Sequence, residues 1–118
     1  INRDVIYKTY TPSLRSAEKL MPSGVIFTAY TAYKLRFNSV PADYSEVYVY
    51  ASNIKEVKKR FPASKKKPNI FILKADLYIK KTSKKDIASL GQIFVDLWNL
   101  KEWYASDFIK EFSERLRI

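Results

Sequence analysis

The chain has 118 residues, of which 47% are apolar and 15% aromatic, which suits one domain with a real core. It carries 22 Lys+Arg against 12 Asp+Glu, a formal charge of +10, and has neither cysteine nor histidine. Disulfides, thiolate or imidazole metal sites, cysteine nucleophiles and histidine bases are thereby excluded, leaving carboxylate, lysine, serine or tyrosine chemistry and oxygen-ligated metal. So narrow a set of reactive groups favours a binding or regulatory domain over an enzyme, with no catalytic residue, cofactor or metal expected.

In chain order, residues 3–10 read as a short extended lead-in. Pro12 suits the first turn of a helix over 13–21 with Thr11 as its cap, and Pro22, Ser23 and Gly24 break it. The run VIFTAYTAYKLRF over 25–37 is ambiguous between strand and helix. Ala29, Ala32, Tyr33 and Phe37 fall at helical spacing, which predicts a helix from Thr28. Residues 38–44, with Pro41, form a loop. The clearest strand spans 46–51, with Tyr48 and Tyr50 on one face and Val47 and Val49 on the other. Ser52 is expected to cap a short helix through Arg60 that turns Ile54, Val57 and Phe61 inward, followed by a basic loop over 61–67.

The apolar run NIFIL at 69–73 reads as a covered strand, and 76–80 as a second strand pairing with it in a hairpin. A polar turn over 82–86 follows. Ser89 caps a helix from Leu90 to about Leu100, with Gly91 in its first turn. The last helix covers 102–116, with Trp103, Phe108, Ile109, Phe112 and Leu116 on one face and Lys110, Glu111, Glu114 and Arg115 on the other. The resulting fold class is α+β, or mixed α/β: one small sheet of about three to four strands covered by helices and ending in two consecutive helices. A single domain over 1–118 is expected. No stretch reaches about 18 consecutive apolar residues, so no membrane span is expected. No secretory signal is read at the start, and the expected location is cytoplasmic. The start at Ile1 suits a domain cut from a longer regulator as well as a processed terminus.

The charge is unevenly spread. Between positions 51 and 85 lie twelve cations, namely Lys55, Lys58, Lys59, Arg60, Lys65, Lys66, Lys67, Lys74, Lys80, Lys81, Lys84 and Lys85, against Glu56 and Asp76. That segment holds the whole net charge, because the remainder has ten residues of each sign. All of these cations except Lys74 are the candidate nucleic-acid contacts, because concentrated positive charge releases counterions from a phosphate backbone. The competing reading is lysines placed on turns and sheet edges for solubility.

Two glycines are too few for a phosphate-cradling loop. Asp76 after an apolar strand, with Lys74 and either Glu46 or Asp43, echoes metal-dependent nucleases, although the spacing is loose. Gln92 and Asp96 lie four apart on an otherwise apolar helix, so Asp96 needs a fixed hydrogen-bonding partner. Bracing the helix against a loop is the plainer reading, and partner recognition is the other. Tyr30, Tyr33, Tyr44, Tyr48 and Tyr50 read first as core residues with hydroxyls at the rim, and second as a stacking or protein-binding surface.

Four segments together resemble the C-terminal domain of the AbiEi family of type IV antitoxins and related transcriptional regulators. They are GVIFTAYTAYKLRF (24–37), VPADYSEVYVYAS (40–52), PNIFILKAD (68–76) and IASLGQIFVDLWNLKEWYASDFIKEF (87–112). The last is similar to the family's VSPxQLYLDL signature, with Gln92, Asp96 and Leu97 at signature positions. It departs at Leu90 and Gly91, where proline is usual, and the glycine- and arginine-containing turn after the signature is replaced by Asn99-Leu100-Lys101-Glu102-Trp103. The resemblance implies a regulator that binds DNA and neutralises a nucleotidyltransferase-type toxin, with Gln92, Asp96 and Leu97 structural or partner-binding. The family's N-terminal winged helix-turn-helix has no counterpart pattern in these residues. A stand-alone basic nucleic-acid-binding protein and a degenerate nuclease-like domain are the alternatives.

Overall fold

Side chains alternate across a strand, and in β3 (Val47–Ala51) both sets are apolar or aromatic, so this strand needs cover on both faces. The structure, a computed structural model, describes residues 5–116 and meets that demand. Around β3 the chain lays out β1 (Val5–Thr9), α1 (Leu14–Leu20), β2 (Ile26–Thr28), α2 (Ala29–Phe37), α3 (Lys55–Arg60), β4 (Ile70–Lys74), α4 (Leu77–Thr82), α5 (Leu90–Trp98) and α6 (Ala105–Leu116). The four strands form one open sheet in the order β1-β4-β3-β2. β3 and β4 are parallel and joined through α3, while β1 and β2 run antiparallel along the two edges. The molecule is thus mixed α/β, and its two C-terminal helices are α5 and α6.

Two cores result. Val47, Val49, Ile70 and Ile72 pack under Ala17 of α1 and Val57 of α3. Tyr48, Tyr50 and Leu73 pack on the other face under α2, α5 and α6 through Tyr30, Tyr33, Ile93, Leu97, Phe108 and Phe112. Burying a side chain of this size contributes roughly 1.5–3 kcal/mol, which is why the alternation of β3 organises the whole chain. Beyond β2 the chain returns along the sheet edge. Phe27 N–H donates to Asp86 C=O at 2.8 Å, and Ala88 N–H donates to Phe27 C=O at 2.9 Å, so the short edge strand is covered.

Several expected elements differ. The lead-in is strand β1, paired to β4; residues 3 and 4 of it lie outside the described residues. Within 25–37, Ile26–Thr28 forms a strand before the helix starts, and the chain passes from β2 into α2 with no loop between. That abrupt turn places Ala29 at φ 55°, a left-handed conformation costly for a residue with a Cβ. Residues 76–80 are not a strand. The Asp76 carboxylate accepts a hydrogen bond from Ile79 N–H at 2.8 Å and starts helix α4, while β4 takes β1 as its antiparallel neighbour.

Ser13, not Thr11, caps α1, its Oγ accepting from Ser16 N–H. Ser52 is exposed and caps nothing: Ile54 occupies the cap position of α3, and Asn53 Oδ1 accepts from Lys55 N–H. The last helix begins at Ala105, so Trp103 precedes it and stays exposed. Tyr104 takes the inward position, and Leu116 is also exposed. No helix among the described residues is long and apolar enough to cross a membrane.

Candidate functional site

α5 begins where Ser89 Oγ accepts from Gln92 N–H, and its inward face then carries Gln92, Ile93, Asp96 and Leu97. Asp96 is buried, is in no ion pair among the described residues and accepts from neutral donors. Thr28 Oγ donates to its Oδ2 at 2.6 Å and Tyr50 OH at 2.7 Å, while Gln92 Nε2 donates to Oδ1 at 2.9 Å and to the Tyr50 hydroxyl at 3.1 Å. The pair therefore braces α5 against strands β2 and β3, where a loop was expected. Leu97 lies in the core beside them, so all three signature residues are turned into the fold.

The same device recurs through the tyrosine core. Tyr30 and Tyr48 donate to Glu102, Tyr33 to Glu111, Tyr44 to Glu18 and Tyr104 to Glu46. Burial pushes all five hydroxyls above the ordinary tyrosine value, and the neighbouring carboxylates add to it; Tyr33 and Tyr104 rise to about 12. Burial alone would raise Glu18, but hydrogen bonds from Lys34, Thr31 and Tyr44 outweigh it and hold the carboxyl below its usual range. These tyrosines are core residues with hydroxyls at the rim, and Tyr30, Tyr33 and Tyr50 expose no ring for stacking on a base. Five carboxylates, counting Asp96, accept from tyrosine hydroxyls, and of these Glu18 also pairs with Lys34 and Arg15, and Glu111 with Arg115.

The basic stretch divides across the sheet. Lys55, Lys58, Lys59 and Arg60 lie on α3, and Lys65, Lys66 and Lys67 in the loop after it, all exposed. Val57 of α3 and Phe61 pack on the face of Val47 and Val49, which fixes the α3 cations on that side, while in the loop Lys66 lies over Tyr10 and the charge of Lys67 acts on Glu46. Lys80 and Lys81 belong to α4, whose Ile79 packs with the opposite core, and Lys84 and Lys85 follow in the turn beside Leu35 and Arg36. The structure thus sets the four cations of α4 and its turn apart from the seven of α3 and the loop that follows it. Among the described residues, Lys59 is the one of the seven in an ion pair, an exposed contact with Glu56 at 3.5 Å.

Two aromatic rings join this group that composition alone did not single out. Lys58 Nζ lies 5.5 Å from the Tyr7 ring centroid and Lys66 Nζ 5.1 Å from that of Tyr10. The alternating IYKTY run was the available signal, but only pairing of β1 with β4 reveals that Tyr7 shares a side with α3.

The nuclease-like set is not assembled. Asp76 follows β4 at one end of the parallel pair and Glu46 precedes β3 at the other, with all five paired positions between them. Asp76 is used as a helix cap, and no group of three acidic ligands occurs among the described residues. A pocket of about 390 Å³ opens between the sheet and the α5–α6 link, where Thr28, Tyr48, Phe71, Asp96 and Glu102 line it. Its two carboxylates already accept the tyrosine and threonine hydrogen bonds just described. The chain matches no family model, no curated protein and no solved structure.

Proposed function

We propose that this is a non-catalytic regulatory domain that holds nucleic acid through the α3 surface: Lys55, Lys58, Lys59, Arg60, Lys65, Lys66 and Lys67. One observation carries the reading: the four exposed cations of α3 share one side of the sheet with the Tyr7 ring, and the three exposed lysines of the loop that follows extend them toward Tyr10. Backbone contacts of this kind position a protein on nucleic acid without reading its sequence. Lys80, Lys81, Lys84 and Lys85 are left as a separate, weaker group.

Fluorescence anisotropy with a short DNA duplex tests this. Binding should weaken with salt at a log–log slope of roughly −0.9 per phosphate contact. Replacing Lys58, Lys59, Lys65 and Lys66 by Gln should flatten that slope and cost most of the affinity. The same change at Lys80, Lys81, Lys84 and Lys85 should do much less. No binding at low salt, or an equal loss from both sets, refutes the reading.

The AbiEi resemblance supplies the cellular role: an antitoxin-like transcriptional regulator whose protein partner is a nucleotidyltransferase-type toxin. Since Gln92, Asp96 and Leu97 face inward, such a partner would meet other residues. Co-purification with a toxin encoded beside this gene tests the role. DNA binding without any such neighbour favours the stand-alone nucleic-acid-binding alternative.

A further inference from the structure

The turn between α4 and α5 builds a second concavity, of about 480 Å³, against the end of α2. Arg36 of α2 and Lys84 and Lys85 of the turn line it, and among the described residues no acid does. None of these three cations is in an ion pair among the described residues. Asp86, in the same turn, is exposed, lies off the lining and pairs with neither lysine. Glu111, which α6 turns toward α2, is taken by Tyr33, Ser39 and Arg115. Cations that line one hollow with no acid among them repel one another, and an anion placed between them relieves that repulsion.

The backbone that carries the lysines is anchored. Lys84 N–H donates to Ile87 C=O at 2.9 Å and Ile87 N–H to Lys84 C=O at 3.0 Å, which closes a two-residue turn with Lys85 and Asp86 both left-handed. Bonds from Asp86 C=O and Ala88 N–H to Phe27 tie this turn to β2. Ser89 also lines the hollow; its Oγ accepts from Gln92 N–H, and its own hydroxyl hydrogen meets no acceptor among the described residues. The remaining wall is apolar, made by Ile87, Leu90 and Leu35, the last 51% exposed. A nucleic-acid backbone brings one negative charge per phosphate, whereas a phosphomonoester brings nearly two. The volume is that of a small-molecule site. We infer that this pocket binds a small organic phosphomonoester, its phosphoryl group among Arg36, Lys84 and Lys85 and its carbon body on Leu35, Ile87 and Leu90.

The pocket lies on the α2 side of the sheet, away from α3, so it does not depend on the nucleic-acid reading. Titration of the isotope-labelled chain with phenyl phosphate, followed by amide chemical shifts, tests it. Saturable shifts should appear at Lys84, Lys85, Ser89 and Leu90 and not at Lys55, Lys58 or Lys59. Inorganic phosphate, which lacks the carbon body, should bind about threefold more weakly, and diphenyl phosphate, a monoanion, at least about tenfold more weakly. Binding should weaken as pH falls through about 6, where a phosphomonoester takes up its second proton. The chain has no histidine to titrate there. Arg36→Gln, Lys84→Gln and Lys85→Asn together should cost at least about tenfold, and Leu35→Gln about threefold for phenyl phosphate but nothing for inorganic phosphate. Lys58→Gln with Lys66→Gln should change nothing. Thermal unfolding like the parent's shows that the variants fold, and the ligand comparisons need no variant. Equal affinity for the diester, no saturation, shifts spread over both basic groups, or shifts at the pocket with a DNA duplex or phosphatidic acid vesicles but not with phenyl phosphate each overturns the inference.

Discussion

Asp96 shows how a buried carboxylate is held by neutral donors. Three side chains, Thr28, Tyr50 and Gln92, aim donors at its two oxygens, so removing it takes this acceptor from all three. Asp96→Ala should cost about 3 kcal/mol, and Tyr50→Phe, which removes one donor and keeps the ring, about 1 kcal/mol. Urea unfolding of the two variants checks this, and equal losses would contradict the network. The tyrosines set the alkaline limit. Their folded pKa values lie above the ordinary value of 10.0, so the neutral form is favoured by folding. That stability is complete below pH 10 and drains away as pH rises toward the folded values. An absorbance titration at about 295 nm should show these five hydroxyls ionising together with unfolding instead of one by one. Glu18 acts in the opposite sense: its folded value is depressed, so its contribution is present above the usual 4.5 and lost as pH falls below it. Acid unfolding of Glu18→Gln should therefore lose part of the pH dependence seen in the parent below that value.

Among the elements, capping explains both the accurate expectations and the errors. Ser89 carries the signal of a polar residue before an apolar helical run, and it does cap α5. Ser52 carries a similar signal and does not, because α3 starts two residues later. Ser89→Ala should cost about 1 kcal/mol, whereas Ser52→Ala should fall within about 0.5 kcal/mol, as thermal unfolding would reveal. Asp76 shows the converse. An alternating DLYIK run suggests a strand, yet one side-chain acceptor three residues before Ile79 N–H turns it into α4. Strand β2 was hidden for a different reason: three residues are too few to show a period, and they run straight into a helix at Ala29.

For the molecule as a whole, charge and fold are coupled. Ten of the twelve acids lie outside the basic segment, and five of these accept from tyrosine hydroxyls, so the acids that pin the sheet lie apart from the segment that carries the net charge. Raising salt should weaken any polyanion contact far more than it changes unfolding by urea, because the tyrosine donors of the carboxylate bonds are neutral and salt screens such bonds little. Chain order and composition alone determined the mixed α/β class, the two faces of β3, the burial of Gln92 and Asp96 and the segment that holds the net charge. Those features follow from alternation, helical spacing and counting, which are local. Only the tertiary structure decided that β1 and β2 close the sheet, that Thr28 and Tyr50 are the partners of Asp96, that the cations split across two faces and that both tryptophans stay outside. Each of those depends on which distant segments pair, and no local pattern encodes the partner of a strand.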